Sequence, residues 1–158
     1  MIFESIITML KQLEIKYTIR DHRDSAYISM TFEKSDLFNE RFRYNLLIFS
    51  DIDVEAVSIL IPSINSIMSY KNQNSDFEVL KKKIDFINDR ILYGTLKVMN
   101  NKEVRYDYSF VYIDDIHYLK KVFQTLLKYI DFIIYEVSLL MEPSIGLEEF
   151  LKIREIVK

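Results

Sequence analysis

The chain lacks cysteine altogether and holds only two glycines, two prolines and two histidines in 158 residues. Without cysteine there is no disulfide, no thiolate nucleophile and no cysteine-bound zinc, a usage that fits a reducing compartment. A cytoplasmic location is therefore expected. Gly94 and Gly146 lie far apart, so neither the phosphate loop of an NTPase nor a dinucleotide fingerprint can be written anywhere in the chain. His22 and His117 have no HExxH spacing or other paired-ligand pattern; His22 reads as a solvated turn residue and His117 falls in the first turn of a predicted helix. Charge of one sign is also missing, since 21 Lys and Arg stand against 24 Asp and Glu for a net −3, which gives no electrostatic reason to expect nucleic acid. Long apolar runs are absent as well. Tyr129 to Met141 is broken by Asp131 and Glu136 and falls short of the roughly 20 apolar residues of a membrane span. Met1 to Leu13 carries Glu4 and no basic opening, so it reads as an amphipathic helix rather than a cleaved signal, and neither secretion nor membrane insertion is expected.

What the chain does have is hydrophobic residues at 49%, enough for one ordinary core, and we read a single domain over residues 1–158. Phe3, Ile6, Ile7, Leu10 and Leu13 share a helical face, after which Ile15, Tyr17 and Ile19 switch to a period of two. Ala26, Ile28, Met30 and Phe32 alternate with Tyr27, Ser29 and Thr31 in a second strand. A third strand, Phe42 to Phe49, meets a fourth, Val54 to Ile61, through the short polar Ser50-Asp51-Ile52-Asp53 link that antiparallel neighbours use. Pro62 ends the fourth strand. Ser75-Asp76-Phe77-Glu78 is a capping-box signature for a second helix with the stripe Phe77, Leu80, Ile84, Ile87 and Ile91, and Gly94 stands where helices commonly end in a left-handed residue.

Strands from Gly94 to Met99 and Glu103 to Ile113 follow, around an Asn100-Asn101-Lys102 turn. Asp114 or Asp115 then caps a third helix, on which Ile116, Leu119, Phe123, Leu126, Ile130, Ile133, Val137 and Leu140 align before Pro143. At 1.5 Å per residue its roughly 25 residues span nearly 40 Å, so it should cross the whole sheet. A last helix runs from Leu147 to Val157. The expected class is α+β: an antiparallel sheet of about five to six strands with helices packed on one face, in the order helix, four strands, helix, two strands, long helix, short helix.

The residues that invite a chemical reading have plainer ones. Asp51, Asp53 and Glu55 alternate as carboxylates around a hard cation would, but the loop lacks the Gly and distal Glu of an EF-hand, and Asp is an ordinary hairpin residue. Asp114 and Asp115 sit where a helix needs a cap. Lys81, Lys82 and Lys83 read as a solvated helix face diluted by Glu78, Asp85 and Asp89. Val104, Tyr106, Tyr108, Phe110 and Tyr112 align on one face of their strand, as base-stacking platforms do, but such a stripe is more often core. No catalytic residue, metal ligand or cofactor is expected.

The order of elements, with the junction from Asn88 to Tyr108 (NDRILYGTLKVMNNKEVRYDY), resembles the YbjN-like family and, more distantly, type III secretion chaperones. The positions that carry the resemblance are Asn88, Tyr93, Gly94 and Leu96. It implies a one-sided α+β fold that binds protein segments and often dimerises, and it brings no catalytic residues. The helix from Leu147 to Val157 is extra to the small secretion chaperones.

We therefore expect a non-enzymatic protein-binding module, chaperone- or adaptor-like, that holds a protein or peptide segment and forms a homodimer. The spacing of Leu47, Phe49, Val57 and Ile59 places them on a second apolar sheet face, which either the last helix or another chain should cover. Leu37 and Phe38 add a candidate contact inside the otherwise polar loop from Glu33 to Arg41. The alternative is a small-ligand-binding or enzymatic domain with a pocket between the sheet and the long helix, using Tyr106, Tyr108, Arg105 or His117. A large, enclosed polar pocket would favour that alternative, and a flat or grooved apolar surface the binding module.

Overall fold

The computed structural model describes residues 2–22, 25–36, 38–66 and 76–156. Its elements run α1 (Ile2–Gln12), β1 (Thr18–His22), β2 (Ser25–Ser35), β3 (Arg41–Asp51), β4 (Ala56–Ile61), α2 (Phe77–Asn88), β5 (Thr95–Val98), β6 (Val104–Val111), α3 (Ile116–Met141) and α4 (Leu147–Ile156). The six strands form one sheet in the order β1-β2-β3-β4-β6-β5, and every neighbouring pair is antiparallel. Class and element order are those read from the sequence.

Alternation builds the core. Phe42, Tyr44, Leu46 and Ile48 of β3 are buried on one face, joined there by Ile28 and Met30 of β2, Val57, Ile59 and Ile61 of β4, and Val104 and Tyr106 of β6. The same hydrophobic cluster takes in Ile6 and Leu10 of α1, Leu80, Ile84 and Ile87 of α2, Phe123, Leu126 and Ile130 of α3, and Phe150 of α4, so the helices share one side of the sheet. The 26-residue α3 crosses it, with the Tyr118 hydroxyl donating to the Val111 carbonyl at 3.5 Å near one end and Asp131 reaching Lys34 of β2 at 2.8 Å. Its N-cap is Asp115, whose side chain accepts from the His117 and Tyr118 amides.

Three local expectations change. The apolar stripe predicts a second helix running to Tyr93-Gly94, but α2 stops at Asn88, whose amide side chain bonds both the N–H and the carbonyl of Leu96 at 2.8 Å. Asn88 thereby does for β5 what a further strand would do, and blunts that edge of the sheet. Gly94 does adopt φ +93°, but in the lead-in to β5, where a Cβ would lie 2.5 Å from the Tyr106 ring and 2.6 Å from the Asp107 carbonyl. The cap of α2 is Asp76, accepting from the Glu78 amide at 2.9 Å, while Ser75 lies outside the described residues.

Lys83 overturns the solvated-face reading of the lysine run. It is 2% exposed, donates to the Leu140 carbonyl at 3.1 Å and to the Ile145 carbonyl, and lies 5.7 Å from the centre of the Phe150 ring. Burial lowers its pKa, with Glu142 and Glu149 opposing the shift.

Left-handed turn positions are filled mostly without glycine: Glu14, Asn39, Glu55 and Lys102 all have φ between +50° and +64°. Glu14 closes α1 in a Schellman pattern, its amide bonding the Lys11 carbonyl at 3.1 Å and that of Ile15 reaching Leu10 at 3.0 Å.

Candidate functional site

No described helix covers the second face of the sheet, because α4 packs beside α2, with Phe86 and Phe150 edge to face at 6.0 Å. On the open face Tyr27 of β2 stacks on Phe49 of β3 at 5.2 Å, with Leu47 and Leu60 half-buried beside them. Its polar part pairs within itself: Thr31 donates to Asn45, the Ser58 and Ser109 hydroxyls meet at 2.9 Å, and Arg105 bonds Asp107 at 3.0 Å. At the end where β3 turns into β4, Ile52 is 78% exposed and Val54 67%. The Tyr112 amide ties this turn to the end of β6 by donating to the Glu55 carbonyl at 2.7 Å, bringing exposed Val111 and Ile113 to the same corner.

The predicted partner residues divide. Leu47 and Phe49 lie on the open face, but Val57 and Ile59 are each only 1% exposed and belong to the core on the other side. The turn pairs Asp51 with Ala56, so odd positions of β3 sit beside even positions of β4: Leu47 faces Leu60 and Phe49 faces Ser58. Leu60 is thus the neighbour that the sequence reading missed, and counting across the four-residue turn would have found it. Phe38 is 43% exposed in a loop organised by buried Asp36, which accepts from the Phe38 and Glu40 amides at 2.8 and 3.0 Å; Leu37 lies outside the described residues.

A second feature lies on the helix side, a cleft of about 320 Å³ between α3 and β6. Tyr118, Lys121, Val122, Thr125 and Leu126 supply one wall from a single helical face, and Tyr108 and Tyr93 supply the other. Tyr93 stands edge-on to Tyr108 at 6.0 Å and to Tyr129 at 5.2 Å, its carbonyl accepts the Tyr106 hydroxyl at 2.6 Å, and the Leu92 amide donates to the Tyr129 hydroxyl at 2.8 Å. Burial raises the Tyr108 pKa, with Tyr118 and Tyr93 adding to the shift.

Of the four residues named for a pocket, only Tyr108 lines this cleft. Tyr106 is wholly buried, its phenol pKa raised chiefly by burial and then by Tyr129 and Tyr108. Arg105 points to the open face with Asp107, and His117 is exposed at the start of α3. The carboxylate of Asp51 accepts from the Asp53 and Val54 amides, which is turn chemistry, and among the described residues no three His, Asp or Glu gather as a metal site. No described helix is long and apolar enough to cross a membrane. No family model and no curated protein matches the chain.

Proposed function

We propose that the chain is a non-enzymatic protein-binding module that holds a partner segment, in the first instance a second copy of itself, against the open face of its sheet. The observation that carries this reading is the apolar content of that face, where Tyr27, Leu47, Phe49 and Leu60 group on the strands and Ile52, Val54 and Val111 lie exposed at its end, beyond Asp51 and the pair of Ser58 and Ser109. Exposed apolar groups gathered on one face are costly to leave in water and mark interaction sites on folded proteins. A two-fold pairing would use the same patch on both copies, so each residue lost is lost twice. The YbjN-like resemblance supports the same reading through the protein-segment binding it implies.

Light scattering at micromolar concentration, with the wild type beside Phe49→Asp, tests the proposal. Self-association that Phe49→Asp weakens supports it. A monomeric wild type whose capture of reduced α-lactalbumin is unchanged by Phe49→Asp would leave the open face without a binding role.

A further inference from the structure

We infer that the cleft between α3 and β6 is a separate binding site for a small aromatic carboxylate. It lies on the helix side of the sheet, so it is independent of the open face and of the function proposed for it.

The walls are held in place before any ligand arrives. Tyr93 is fixed by the hydrogen bond from Tyr106 to its carbonyl and by edge-on contacts with Tyr108 and Tyr129. Opposite, half-buried Val122 offers apolar surface from the 26-residue α3, with the buried Leu126 behind it. Aromatic rings prefer edge-to-face or offset contact with other rings, and a slot bounded by three tyrosines suits a flat ring better than a branched aliphatic group. The volume of about 320 Å³ is at the low end for ligand sites, so it admits one or two fused rings and not a nucleotide.

The polar groups set the charge. The Tyr93 and Tyr108 hydroxyls have no hydrogen-bond partner among the described residues, and Lys121 makes no ion pair among them. The Tyr93 and Tyr108 phenols can each donate a hydrogen bond. Phenol donors and one uncompensated ammonium around an apolar slot complement a single carboxylate attached to a ring.

Calorimetric titration of the full chain with 2-naphthoate tests this, beside neutral 2-naphthylmethanol and non-aromatic cyclohexanecarboxylate. We expect saturable binding of naphthoate with one molecule per chain, and about tenfold weaker binding of each analogue. Lys121→Gln should remove the advantage of naphthoate over naphthylmethanol while leaving the alcohol unchanged. Val122→Trp, which fills the slot from the helix flank, should abolish both. Phe49→Asp should leave naphthoate binding intact, which separates this site from the open face. Failure of the wild type to bind naphthoate, or binding that ignores both Lys121→Gln and Val122→Trp, overturns the assignment. If Val122→Trp does not fold by circular dichroism, Lys121→Gln and the two analogues still decide it.

Discussion

Replacing Lys83 by methionine, which keeps the length of the side chain and removes its ammonium, isolates the role of a buried cation at a helix end. The last carbonyls of a helix have no partner within it, and α3 has no basic residue of its own in its last turn. Lys83 of α2 supplies the donor from outside, bonding Leu140 in that turn and Ile145 in the link to α4. Two charge-assisted hydrogen bonds contribute about 1.5–3 kcal/mol each before costs, and the helix dipole adds about 0.3–1 kcal/mol. Relief of the ammonium's desolvation in the variant offsets several kcal/mol of this, leaving a net loss of about 2 kcal/mol. For a chain of this size that corresponds to a fall in Tm of about 4–8 °C. Urea unfolding followed by circular dichroism measures the loss directly, with the exposed Lys82→Met as a control expected within about 0.5 kcal/mol of wild type.

The pH dependence is a second readout. Burial lowers the Lys83 pKa from 10.5 in the folded protein, so between the lowered value and 10.5 the unfolded chain holds a proton that the folded chain has released. Stability from this group therefore grows as pH rises through that window and is lost as pH falls through the folded pKa. Methionine does not titrate, so the deficit of Lys83→Met should widen as pH rises through that window toward 10.5. A loss no larger than that of Lys82→Met, or a deficit that narrows with rising pH, refutes the reasoning.

Phe123 of α3, 2% exposed, should cost about 3–5 kcal/mol on truncation to alanine in the same urea assay. Gly94→Ala should cost about 2–4 kcal/mol, since the new methyl meets Tyr106 and the Asp107 carbonyl at a left-handed φ. Gly146→Ala, whose Cβ would meet nothing within 4 Å, should be neutral or stabilising by up to about 1 kcal/mol. Equal effects at the two glycines would contradict the close approach at Gly94.

The order of elements was legible because each long element repeats its own period several times: the stripe of α3 from Ile116 to Leu140 and the alternation of β2 and β3 leave little choice. What escaped was set by side-chain contacts and turn register that no repeating period encodes. The end of α2 depends on Asn88 finding the backbone of Leu96, which no local propensity encodes. The burial of Lys83 had a signal, since it lies three residues after Leu80 and four before Ile87, on the buried stripe, but a charged side chain there usually turns to water. The misplacement of Val57 and Ile59 came from carrying one strand's parity across a turn without counting its residues. Of the residues that the sequence offers for a pocket between the sheet and the long helix, three lie outside this cleft, because Tyr93 meets the Lys121 and Thr125 face of α3 only when that helix lies across β6.

The shortage of glycine at the turns bears on how much stability this chain holds in reserve. A non-glycine residue in the left-handed region costs on the order of 1–2 kcal/mol, less for asparagine, and Glu14, Asn39, Glu55 and Lys102 all sit there. Proteins are maintained just above the stability their function requires rather than at their optimum, and here the shortfall is concentrated at four exposed or half-exposed corners, away from the core. Those corners are where the sequence has room to drift toward a more stable protein without repacking a single buried side chain.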